Sequence, residues 1–112
     1  MDKILKNKKF ISVKEIHFTP EFKRGLRNIF GDNKAKRAEE LSKKTAGFQF
    51  TYLSGKNKVF GLLSVPISRA GKKLPCIIYN RGGYKDFGIL KQGALFNNMG
   101  RFSALGYVVI AS

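Results

Sequence analysis

The sequence predicts an α/β fold: a small sheet whose later strands run parallel, preceded by a basic helical segment. Three observations carry that reading. Phe48 to Leu53 and Lys58 to Pro66 are β-favouring runs joined by the turn Ser54-Gly55-Lys56-Asn57, which makes a hairpin. Leu74-Pro75-Cys76-Ile77-Ile78-Tyr79 is a continuously apolar strand that runs into Asn80-Arg81-Gly82-Gly83. A helix-spaced stretch then leads to a second apolar strand, Tyr107 to Ala111. Strand, loop, helix, strand is the order in which an α/β sheet presents backbone N–H groups at the carboxyl ends of its strands.

Taken in order, Phe10 to Phe18 has β-favouring residues in partial alternation, with Ile11, Val13, Ile16 and Phe18 as candidates for one buried surface. Pro20 closes that run. Glu21 to Phe30 sets Phe22, Leu26, Ile29 and Phe30 at helical spacing, interrupted by Gly25. Gly31-Asp32-Asn33 is a turn, and Asp32 or Asn33 is positioned to cap the next helix, Lys34 to Lys44. That helix is rich in good helix formers and mixed charges but poor in apolar residues, so it is expected on the surface. Gly47 stands where a helix end commonly lies.

The hairpin places Phe48, Phe50 and Tyr52 on one face, and Gly61 in its second strand points to a bulge or a close backbone neighbour. Pro75 suits the start of a strand, where its absent N–H is not needed by the ladder. From Ile89 to Leu105 the apolar residues Leu90, Ala94, Leu95, Met99, Phe102 and Leu105 fall mainly at i, i+4, i+5 offsets, a helix face weakened by Gly93 and Gly100 and ended by Gly106.

Composition bounds the function. With 43% hydrophobic residues, ten Phe and 112 residues in all, the chain holds the material for one core. No apolar run approaches the roughly 18–20 residues of a membrane span, so no membrane partner is expected. No apolar region follows the charged start, so no secretory signal is read. One cysteine makes no internal disulfide and fits a reducing, cytoplasmic setting. One Cys and one His make no zinc site, so no metal and no cofactor are expected. The net charge of +15 is shared between the halves: 13 Lys/Arg against 6 Asp/Glu in residues 1–44, and 9 against 1 in residues 45–112. Such an excess attracts phosphate-bearing partners. The cations are scattered, however, rather than grouped into a reading helix or a stacking platform.

The run Phe48 to Ser112 resembles the opening of the catalytic domain of α/β-hydrolases, most closely the prolyl-oligopeptidase-like peptidases and acyl-peptidases. The residues that carry the resemblance are the hairpin Thr51-Tyr52-Leu53-Ser54 with Val59-Phe60-Gly61-Leu62-Leu63, the strand from Leu74 with its Arg81-Gly82-Gly83 loop, and Phe102-Ser103-Ala104-Leu105-Gly106-Tyr107-Val108-Val109. It implies residues 1–46 as a basic segment with one or two helices and 47–112 as an incomplete α/β-hydrolase-like domain. In such families the loop after this strand helps form the oxyanion hole, which makes Arg81, Gly82 and Gly83 the candidate site. One donor of that kind is worth about 10²–10³ in rate. The family often has Tyr or His just before the two glycines; Arg81 stands there in this chain.

The family's nucleophile sits in a G-x-S-x-G turn, with acid and histidine later in the chain. This sequence has no such turn: Ser54, Ser64 and Ser103 fall in a turn, a strand and a helix, and Ser112 ends a strand. His17, the one histidine, has no linked nucleophile. The expectation is therefore an amino-terminal fragment of a serine hydrolase of peptidase or esterase type. It would supply scaffold and part of an oxyanion hole for a peptide or ester substrate, be inactive alone, and leave Tyr107 to Ala111 as an exposed apolar edge. The alternatives are a small basic nucleic-acid-binding protein and a non-catalytic hydrolase remnant kept for protein contacts.

Overall fold

The computed structural model describes residues 10–68, 73–79 and 92–112. They form a mixed α/β fold with a five-stranded sheet and three helices. The elements are β1 (Phe10–Ile16), α1 (Pro20–Phe30), α2 (Asp32–Ser42), β2 (Thr45–Ser54), β3 (Asn57–Pro66), β4 (Cys76–Tyr79), a 3₁₀ segment (Gln92–Phe96), α3 (Asn98–Ser103) and β5 (Val108–Ala111). The strand order is β1-β2-β3-β5-β4. β1, β2 and β3 form an antiparallel meander, β3 and β5 are antiparallel, and β4 and β5 are parallel.

Local chemistry accounts for most boundaries. Thr19 caps α1, its hydroxyl accepting from the Phe22 N–H at 3.1 Å, and Pro20 takes the first turn, where no N–H is required. Gly31, at φ +92°, both ends α1 and starts α2. Neither Asp32 nor Asn33 is the cap of α2: Asp32 already lies in its first turn and pairs with Arg27 at 3.2 Å. Strand β2 begins at Thr45, so Gly47 is not a helix end but lies within the sheet, opposite Ile16 and Ser64.

All three helices and the 3₁₀ segment cover one sheet face. Its core joins Ile16, Leu26, Ala35, Ala38, Leu62, Leu95, Phe96, Met99, Val109 and Ala111, with Phe18 and Phe22 stacked edge-on against Phe96. Residues on both sides of position 46 therefore share one core. The opposite face gathers Phe50, Leu63 and Val65, flanked by Phe48, Tyr52, Val108 and Ile110. The expected common face of Phe48, Phe50 and Tyr52 is there, on the side away from the helices, with Phe50 buried and the other two half-buried.

Four expectations are corrected. First, Ile11 and Val13 are exposed while Ile16 is buried: Val13 stands opposite Phe50 and Ile16 opposite Gly47, and residues three apart in a strand point to opposite faces. Second, α2 is not a wholly solvated helix: Ala35 and Ala38 are fully buried, their small side chains letting the helix lie close on its neighbours. Third, the stretch before β5 is not one helix. A 3₁₀ segment ends at Phe96, and the backbone of Asn97 (φ −118°, ψ −97°) breaks the run before α3. The beginning of that stretch, residues 89–91, lies outside the described residues.

Fourth, β5 is not the edge. It lies between β3 and β4, and β4 ends the sheet, with Ile78 73% exposed. The reason is topological: the chain lays β4 outermost, then returns to insert β5 beside the hairpin. Apolar continuity in β4 therefore did not mean cover on both faces.

Candidate functional site

A sheet of this order has one place where its connections diverge. β3 meets β5 head to tail, β5 meets β4 head to head, and the carboxyl ends of β4 and β5 emerge together at Tyr79 and Ala111, which are paired in register. In open α/β sheets, ligands bind outside the carboxyl ends of the strands where the strand order reverses. The sequence continues directly from Tyr79 into Asn80-Arg81-Gly82-Gly83. Arg81, Gly82 and Gly83 themselves lie outside the described residues.

The described side chains fix the position of this mouth. The Tyr79 ring packs on the helical-face core, and its hydroxyl accepts a hydrogen bond from Asn98 Nδ2 at 3.1 Å, linking the end of β4 to the first turn of α3. On the other side of the 3₁₀ segment, Gln92 Nε2 donates to Gln49 Oε1 at 2.6 Å and ties the returning chain to β2. Sequence inspection passed over both contacts, since residues 19 and 43 positions apart carry no local signal of contact.

Gly61 holds the mouth from beneath. A Cβ there would stand 2.3 Å from the Phe50 ring and 2.8 Å from the Ala111 carbonyl oxygen. The pairing of β2 with β3 runs without a register shift, so of the two readings of Gly61 the close backbone neighbour is correct and the bulge is not. That neighbour is the last residue of β5.

The Ser64 and Ser103 hydroxyls are committed to each other. Ser103 and Ser64 are both fully buried and joined at 2.6 Å, α3 to β3, so neither is presented to solvent as a nucleophile. His17 is exposed and lies 3.6 Å from Glu15; among the described residues no serine is hydrogen-bonded to it. No group of three or more His, Cys, Asp or Glu that could hold a metal exists among the described residues.

The chain matches no family model, no curated protein and no solved structure. Its function is therefore read from the fold and its residues. The geometry offers the paired carboxyl ends of β4 and β5; among the described residues no serine is hydrogen-bonded to the one histidine.

Proposed function

We propose that the chain is the amino-terminal part of a serine-hydrolase-type α/β domain, of peptidase or esterase class. In this reading it contributes sheet scaffold and, through the amides of Arg81, Gly82 and Gly83, part of an oxyanion hole. The supporting observation is the parallel register of β4 and β5 beside an antiparallel hairpin, which brings the carboxyl end of β4 to a reversal of strand order immediately before those residues in sequence. A tetrahedral oxyanion is stabilised by fixed N–H donors, and glycine lets backbone approach it without a Cβ in the way. The substrate is a peptide or ester, cytoplasmic in setting. In this reading the chain is inactive by itself, since among the described residues no serine is hydrogen-bonded to His17 and the sequence has no G-x-S-x-G turn.

The basic alternative, binding to nucleic acid, draws support from the charge of +15. Its stacking platform is weakened by burial: Phe50 is only 2% exposed, so its ring has no free face for a base.

The test is to read the open frame past codon 112 and assay its translated product with a fluorophosphonate probe. The account expects a G-x-S-x-G turn, labelling of its serine, and an acylation rate lowered about 10²–10³-fold by Gly82→Pro or Gly83→Pro, each of which deletes one N–H. A frame without that motif, or labelling indifferent to both prolines, overturns it.

A further inference from the structure

The apolar stripe of α1 runs further than the core does. Phe22 and Leu26 pack inward, Phe22 against Phe96. One turn later on the same stripe, Ile29 and Phe30 are 74% and 50% exposed at the α1–α2 corner. Cations stand around them. Lys34 Nζ lies 5.6 Å from the centroid of the Phe30 ring, and Arg37 follows at i+3 on the same flank of α2. Arg27 shares the corner with Asp32, and Lys23 is taken by Glu39; Lys34 and Arg37 have no acidic partner within ion-pair distance among the described residues.

This combination narrows the partner. A phosphate lattice such as a nucleic-acid backbone would satisfy the cations and leave Ile29 and Phe30 in water. A bilayer surface satisfies both, with anionic headgroups at the level of the cations and acyl chains just beneath. We propose that the α1–α2 corner is a docking surface for an anionic lipid bilayer. Ile29 and Phe30 enter the acyl boundary while Lys34 and Arg37, three apart on one flank of α2, engage the headgroups. Such contact is peripheral and needs no spanning segment; no helix among the described residues is long and apolar enough to cross a membrane. The expectation of no membrane partner, drawn from spanning length alone, did not weigh this geometry.

The test is co-sedimentation with phosphatidylcholine vesicles, with and without phosphatidylglycerol. The chain should bind only the anionic vesicles, and binding should weaken with salt. Ile29→Ser/Phe30→Ser should cost about tenfold or more in partitioning, with the cooperative thermal unfolding retained because neither side chain belongs to the buried core. Lys34→Gln/Arg37→Gln should cost a similar factor. Lys56→Gln/Lys58→Gln, which removes the same charge from the β2–β3 turn, should keep most of the binding. Phe30→Trp should show a blue-shifted emission on anionic vesicles, an independent readout of insertion. The proposal is overturned by no vesicle binding, including binding to a soluble acidic protein alone. It is equally overturned by unchanged binding of the Ile29→Ser/Phe30→Ser chain, by equal losses from both charge pairs, or by tryptophan emission that does not move.

Discussion

Gly61→Ala tests the placement of β5 against the hairpin. Adding one methyl to a strand glycine in open space gains about 0.4–1 kcal/mol, because alanine has less freedom to lose on folding. Here the new Cβ would stand 2.3 and 2.5 Å from Phe50 ring carbons and 2.8 Å from the Ala111 carbonyl oxygen, well inside contact distance. The ring can swing only by giving up its buried seat beside Leu63 and Val65, and the carbonyl belongs to a strand paired on both sides. Overpacking of this kind typically costs about 1–3 kcal/mol. With a ring and a backbone atom both obstructing, the upper half of that range applies, a fall in melting temperature of ~8–15 °C for a domain of this size. Thermal and urea unfolding followed by circular dichroism measure it. In a Phe50→Leu background the penalty should shrink by about 1 kcal/mol, since the ring clash is relieved, but should not vanish, since the Ala111 carbonyl stays. A neutral or stabilising Gly61→Ala would refute the close approach of β5 to β3.

Other consequences follow from the same structure. Ser103→Ala should destabilise by about 1–3 kcal/mol in urea titrations, because the buried Ser64 hydroxyl loses its partner, whereas Ser64→Ala/Ser103→Ala should recover much of that loss. Phe96→Ala, which empties the centre of the Phe18–Phe22–Phe96 cluster, should cost about 3–5 kcal/mol in the same assay. The Glu39 carboxyl titrates below its usual range because Lys23 donates a hydrogen bond to it and Lys23 and Lys43 add positive charge. Its folded-state pKa being depressed, the contribution is present above the unfolded-state pKa and is lost as pH falls through the folded one. An NMR titration of the Glu39 side-chain carboxyl should show the low midpoint, and Lys23→Met should return it toward the ordinary glutamate value.

What the sequence disclosed followed from what is local. The hairpin was legible because alternation and the Ser54-Gly55-Lys56-Asn57 turn act within a few residues, and Gly55 does adopt a left-handed φ of +62°. Gly106, at φ +108°, ends the α3 turn as its spacing implied. The β4–β5 strand pair was visible as two apolar runs, but not which of them faced solvent, since that depends on where the crossover returns. The cover of α2 was hidden for a different reason. Counting large apolar residues misses a helix held by Ala35 and Ala38, whose smallness is what permits their burial. The pairing of β1 with β2, the Tyr79–Asn98 link and the Ser64–Ser103 contact are long-range and leave no periodic trace. At the candidate site, Arg81, Gly82 and Gly83 lie outside the described residues, and the parallel ends of β4 and β5 came from the fold.

Everything proposed for the β4 mouth requires that β4 and β5 run in the same direction. In that register Cys76 lies opposite Val108, while an antiparallel pairing would bring Cys76 toward Ala111. Mild oxidation of Val108→Cys and Ala111→Cys chains, with linked peptides mapped by mass spectrometry, separates the two arrangements. The account predicts a Cys76 crosslink in the Val108→Cys chain and none in the Ala111→Cys chain; the opposite pattern would contradict it.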